Sequence, residues 1–161
     1  MPYKVMDIAR YIINYCNEKG YGISNLKLQK MLYFVQSDFL VNTFSQEPCF
    51  KERIEAWDFG PVVPDVYHEY KKYGAANIPS IKEYMDFSDG IWNGRKVKFN
   101  KDIISYEDQK RINMIADTCA QYTATQLVEI THNQTPWQNA YQQCRNDEIR
   151  PEAIKDYFFK R

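Results

Sequence analysis

A chain of 161 residues, 44% of them hydrophobic and 16% aromatic, is long enough to enclose a core and too apolar to stay disordered. That length fits one domain spanning residues 1–161. The 21 basic residues are matched by 21 acidic ones, so the formal net charge is zero, which argues against a nucleic-acid surface built on a basic surplus.

The first helix is predicted from Val5 to Lys19, because Val5, Ile8, Ala9, Ile12 and Cys16 recur on one face of a 3.6-residue period. Gly20 supplies its stop. Ser24 is a natural N-cap for a second helix, Asn25 to Thr43. There Leu28, Met31, Leu32, Val35 and Phe39 form the stripe, while Leu26, Phe34, Leu40 and Val41 widen it. A helix this apolar belongs at the centre of the core, paired with the first in a helical hairpin. From Ser45 to Pro64 the helical period is lost, and Ile54-Glu55-Ala56-Trp57 reads as a short strand or as extended chain. A third helix starts between Pro61 and Pro64, with Val63, Val66, Tyr67 and Tyr70 as its apolar stripe and Gly74 as its end.

Turn chemistry at Pro79, Asp89-Gly90 and Asn93-Gly94 dominates the middle of the chain. It predicts loops with a small β-hairpin around Asn93-Gly94, whose arms are Ile91-Trp92 and Val97-Lys98-Phe99. Helices then resume. Ser105 with Asp108 resembles a capping box ahead of Ile112, Ile115, Ala116 and Cys119, and Thr123 with Gln126 is a second one. Thr135 as N-cap before Pro136 opens a helix through Trp137 and Tyr141, and Arg150-Pro151 opens a terminal one. The expected fold is mainly α, a single-domain helical bundle with a small β-hairpin in the middle.

Chemistry-bearing residues are sparse. Cys16, Cys49, Cys119 and Cys144 are never two to four residues apart, and only His68 and His132 could assist them, so neither a metal nor a cofactor is expected. Free thiols and the lack of a long apolar run point to a cytoplasmic protein without a membrane span. There is no Gly-rich phosphate loop, Gly-x-Ser-x-Gly elbow or His-Glu-x-x-His helix. No catalytic residue is assigned and no enzyme is expected. His68 reads as solvated or at the core edge; His132, at a helix end, is suited to bonding terminal carbonyls or packing on an indole. The basic spots Lys27 and Lys30, Lys71 and Lys72, and Arg95, Lys96, Lys98 and Lys101 read as solvated surface.

The most informative block runs from Glu55 to Tyr67, with Trp57, Phe59, Gly60, Pro61, Val62 and Tyr67 packed into a short non-helical stretch. One reading is a buried elbow in which Trp57 and Phe59 plug the core while Gly60-Pro61 turns the chain into the next helix. The other adds that the elbow is a rigid rim presenting apolar surface to a partner.

Three blocks in order carry a family resemblance: Leu28-Gln29-Lys30-Met31-Leu32-Tyr33-Phe34, then Ala56 to Tyr67, then Leu127-Val128-Glu129-Ile130-Thr131-His132 followed by Pro136-Trp137. Together they resemble the Panacea domain of SocA-like antitoxins, also met as phage-associated proteins of the GepA type, over Val5 to Ala140. The resemblance implies a mainly helical fold and a type II antitoxin that neutralises a protein toxin, encoded by the adjacent gene, by direct binding. It places Trp57, Phe59, Gly60, Pro61, Val62, Tyr67, His132 and Trp137 in the family signature, as candidates for partner binding. A relative that delivers its toxin to a cytoplasmic protease makes a protease a second candidate partner. The alternative is a phage- or prophage-encoded adaptor or regulator that binds a host protein such as a protease or its substrate. The helix-turn-helix module appended in some relatives is not expected here, nor is autoregulation through DNA.

Overall fold

The computed structural model describes residues 2–144 and 146–160. The chain is mainly helical, and α2 (Asn25–Asn42) is the element around which the others are arranged. Against it pack α1 (Val5–Glu18), β2 (Gly60–Val62), α3 (Pro64–Tyr70), α4 (Tyr106–Ala120), α5 (Ala124–His132) and α7 (Pro151–Phe159). α2 is covered on nearly every side because its apolar positions run around the helix rather than along one stripe, as its sequence requires. The core joins Leu28, Met31 and Leu32 of α2 to Ile8 and Ile12 of α1, Ile112 of α4 and Leu127 of α5.

Helix ends follow local chemistry. Gly20 has φ +76° just beyond α1, a conformation that lacks steric cost only without a Cβ. Ser24 accepts from the Lys27 amide at the start of α2. Thr123 and Gln126 complete a reciprocal capping box at α5. The box at α4 is only half made: Ser105 accepts from the Asp108 amide, while the Asp108 carboxylate accepts from Tyr3 Oη instead. At α6 (Thr135–Gln143) the N-cap is Gln134, one residue before the expected Thr135, since the Gln134 side chain is drawn inward by Tyr33. α3 ends at Tyr70, and a 3-10 turn, Lys71–Tyr73, intervenes before Gly74.

Two small sheets accompany the helices. β1 (Ile54–Trp57) is the middle strand of an antiparallel sheet between β2 and β5 (Glu148–Ile149), with Trp57 opposite Gly60. The chain therefore reverses at Asp58-Phe59, and Gly60-Pro61 belong to a strand rather than to the turn itself. The second sheet is a hairpin of β3 (Glu83–Asp86) and β4 (Arg95–Lys98). Its arms differ from those expected: Ile91-Trp92 lie in the connection, 75% and 92% exposed, because both Asp89-Gly90 and Asn93-Gly94 are spent on one long loop. Tyr84 holds the hairpin to α1 by lying under the Arg10 guanidinium, 3.4 Å from the ring centre. Among the described residues no helix is long and apolar enough to cross a membrane.

Candidate protein-interaction face

The site begins with a row of polar side chains on α2 that an apolar helix ought not to bury. Asn25, Gln29 and Lys30 are buried, yet each has a backbone partner in the segment from Pro61 to Tyr67. Asn25 Nδ2 donates to the Tyr67 carbonyl (3.0 Å), and Gln29 Oε1 accepts from the Val63 amide (2.9 Å). Gln29 Nε2 closes back on Asn25 Oδ1 (2.9 Å). Lys30 Nζ donates to the Pro61 carbonyl at 3.0 Å. One turn further on, Tyr33 Oη donates to Gln134 Oε1 (2.7 Å). The helical period places these groups together, so one helix fixes the turn, the start of α3 and the start of α6.

Lys30 corrects the expectation of a solvated lysine: it is 0% exposed. Burial lowers its pKa to about 7, because the ammonium has left water and only a carbonyl has been given in return. Its alkyl chain also fixes the identity of residue 60. Gly60 has φ +106°, and a Cβ there would lie 2.8 Å from Thr131 Oγ1 and 2.9 Å from Lys30 Cε. Thr131 is itself buried and donates to the Val128 carbonyl. Lys30, Gly60 and Thr131, one from each of the three blocks that carry the family resemblance, thus meet in a space that only glycine leaves open.

Above this base stands a face of rings. The His132 imidazole stacks on Trp137 with centroids 4.0 Å apart, and Trp137 on Tyr141 at 4.6 Å. Trp137 Nε1 donates to the Trp57 carbonyl (2.8 Å), and Tyr141 Oη donates to Asp58 Oδ1 (2.7 Å). His132 Nε2 lies 3.0 Å from the Asp58 carbonyl, an acceptor only, so this nitrogen carries the proton. On the other side of the turn Trp57 meets Tyr67 edge-on at 5.0 Å, and its Nε1 donates to Glu55 Oε1. His68 is exposed, its ring against those of Trp57 and Tyr67.

All eight signature residues come together here. Gly60, Pro61 and Val62 are buried; Trp57, Tyr67, His132 and Trp137 are half-buried. Phe59 departs from the plug reading, at 66% exposed. It occupies one of two positions in a tight turn, from which a side chain cannot reach back into the core. Trp57, Phe59, Val62 and Tyr67 with Leu26 border a recess of about 370 Å³, whose lining also includes the polar Gln29, Asp58 and Asn146. A separate, more apolar groove of about 430 Å³ lies between α2, α4, α5 and α7; its Asp38 is already bonded to Arg111 and Asn42. Gln29, Lys30, Tyr33 and Thr131 belong to the blocks that carry the family resemblance, but neither they nor Asn25 and Tyr141 are marked as site residues by the sequence. For Asn25, Gln29, Lys30 and Tyr33 the available signal is polar groups at helical spacing on an otherwise apolar α2; Thr131 and Tyr141 lie on other helices and carry no such signal.

The turn is thus braced from below by α2 and flanked by rings. Residues 28–138 match the model of the antitoxin SocA-like, Panacea domain, and the chain belongs to this family. It is 34% identical over 134 residues to Antitoxin SocA of Caulobacter vibrioides (strain NA1000 / CB15N), covering 80% of this chain and 68% of that relative. No solved structure matches the chain.

Proposed function

We propose that this protein is the antitoxin of a two-protein, type II system, and that it neutralises a protein toxin by binding it directly through the Trp57–Phe59 turn and the His132–Trp137–Tyr141 stack. The observation that carries this reading is Phe59, a large ring held out from the core on a backbone that α2 pins at Pro61, Val63 and Tyr67. Binding by a pre-set backbone avoids the entropic cost of ordering a loop, and exposed rings at its tip supply the apolar area. The family membership points to a toxin as the partner. The work is surface complementarity, without a bond made or broken on the protein.

The test is co-expression with the product of the adjacent gene. That product is expected to be toxic alone, harmless with this protein, and to co-purify with it. A harmless neighbour, or two proteins that fail to co-purify, refutes the reading. Phe59→Ala is expected to weaken the complex by tenfold or more while changing stability by less than about 0.5 kcal/mol, since the ring is exposed. Trp57→Ala, by contrast, costs about 2–3 kcal/mol of stability because that indole is half-buried.

A further inference from the structure

A second recess, made of elements other than the aromatic face, lies where the base of the β3–β4 hairpin meets α1 and α4, and encloses about 560 Å³. Its frame is fixed by hydrogen bonds to backbone groups. Asn14 bonds Ile81 twice, through Nδ2 to the carbonyl (2.8 Å) and Oδ1 from the amide (2.6 Å). The Phe99 amide donates to the Lys82 carbonyl, and Gln109 Nε2 to the Lys101 and Ile104 carbonyls.

Three lysines, Lys82, Lys98 and Lys101, line this recess against one carboxylate, Glu18. Their surroundings differ from those of the other basic residues on the hairpin. Arg95 is paired with Asp86 and Asp89, and Lys96 with Glu83, whereas none of the three lysines has an ion pair among the described residues. In the same lining Tyr11 Oη donates to Asn113 Oδ1 (2.7 Å), which uses the acceptor of that amide and leaves its N–H groups as donors. The remaining wall is apolar or aromatic: Tyr15, Phe99 and Tyr106. The lining of the recess therefore combines cations, an amide donor and aromatic rings.

We infer that this recess binds an acidic segment of a partner protein, one in which carboxylates alternate with apolar side chains. Carboxylates match the lysines and the Asn113 amide, and apolar side chains match the rings. A nucleic acid fits less well. Strong binding to a phosphate backbone draws on many neutralised phosphates, and three lysines beside Glu18 on a chain of zero net charge supply few. The inference concerns a face distinct from the one assigned to the toxin, so its test does not require the toxin.

The experiment uses the full chain and a fluorescein-labelled hexapeptide, Glu-Leu-Glu-Glu-Leu-Glu, followed by anisotropy in 50 mM salt. Saturable binding is expected, weakening as salt rises toward 300 mM because the pairs are solvent-exposed. The combined Lys82→Glu, Lys98→Glu, Lys101→Glu variant is expected to lose about tenfold or more in affinity, with an unchanged melting curve. Phe59→Ala is expected to bind the peptide like the parent. The inference is overturned if the peptide does not bind, if the charge-reversed variant binds it equally well, or if Phe59→Ala abolishes binding. Tighter binding of a thymidine hexanucleotide than of the peptide likewise overturns it.

Discussion

The β1–β2 turn and the β3–β4 hairpin are made from similar material, short antiparallel strands with a large ring exposed in the connection, yet they are held in opposite ways. Around the first, buried side chains of α2 bond the backbone at Pro61, Val63 and Tyr67, Trp137 of α6 and His132 of α5 bond it at Trp57 and Asp58, and Tyr141 bonds the Asp58 carboxylate. The second is bonded mainly to itself, with contacts to α1 at its base through Asn14 and Tyr84. A residue at the first is therefore answerable to several elements at once, and a residue at the tip of the second answers to almost none. Buried polar groups are what make the difference: each must find a partner, so each fixes a backbone position that apolar packing alone would leave adjustable.

The comparison breaks most visibly at Gly60. Replacing it with valine forces a β-branched residue into φ +106° and drives side-chain atoms into Thr131 and Lys30. A loss of about 3 kcal/mol or more is expected, readable as a fall in the urea midpoint, and with it the loss of partner binding. A variant that melts normally would show that the three motifs do not interlock here.

A finer test is the pH dependence of stability. Lys30 titrates near 7 in the folded protein and near the ordinary lysine value, about 10.4, when unfolded. Between these values the unfolded chain holds a proton that the folded one has released, so stability rises with pH, approaching about 1.4 kcal/mol per pH unit above 7. The thiols act in the other direction. Burial raises Cys16 to about 11 and Cys119 to about 12, and raises Cys49 well above the usual value, so above about pH 8.5 the unfolded chain loses protons that the folded one keeps. A stability maximum near pH 8–9 follows, measurable by denaturant titration from pH 6 to 10. In Lys30→Met the rise between pH 7 and 8.5 is expected to flatten; a variant that keeps the full slope would show that another group carries it.

The sequence made the helices legible because each needs only its own apolar period and caps, as Val5 through Cys16 and the Thr123–Gln126 pair demonstrate. The face was legible as a set of residues but not as an arrangement. Lys30 looks like any lysine beside Lys27; its burial depends on the Pro61 carbonyl, 31 positions away. The size of Phe59 suits an inward plug, one of the two readings of the elbow, whereas its place in a two-residue turn sends it outward. The hairpin register failed for a related reason: Asn93-Gly94 is a strong turn signal, but it competes with Asp89-Gly90, and pairing of Tyr84 with Val97 leaves both in the loop.

The smallest expected effect lies at that loop and sharpens the contrast from the other side. Ile91 and Trp92 are 75% and 92% exposed, so their rings and methyls gain little from folding, and neither belongs to the core cluster. Ile91→Ser with Trp92→Ser should change the free energy of unfolding by less than about 0.5 kcal/mol, against the several expected at Gly60. Such substitutions remove exposed apolar area, so solubility should increase. A loss of more than about 1 kcal/mol would mean that these side chains are covered in solution, and the loop would then have to be counted with the braced turn rather than against it.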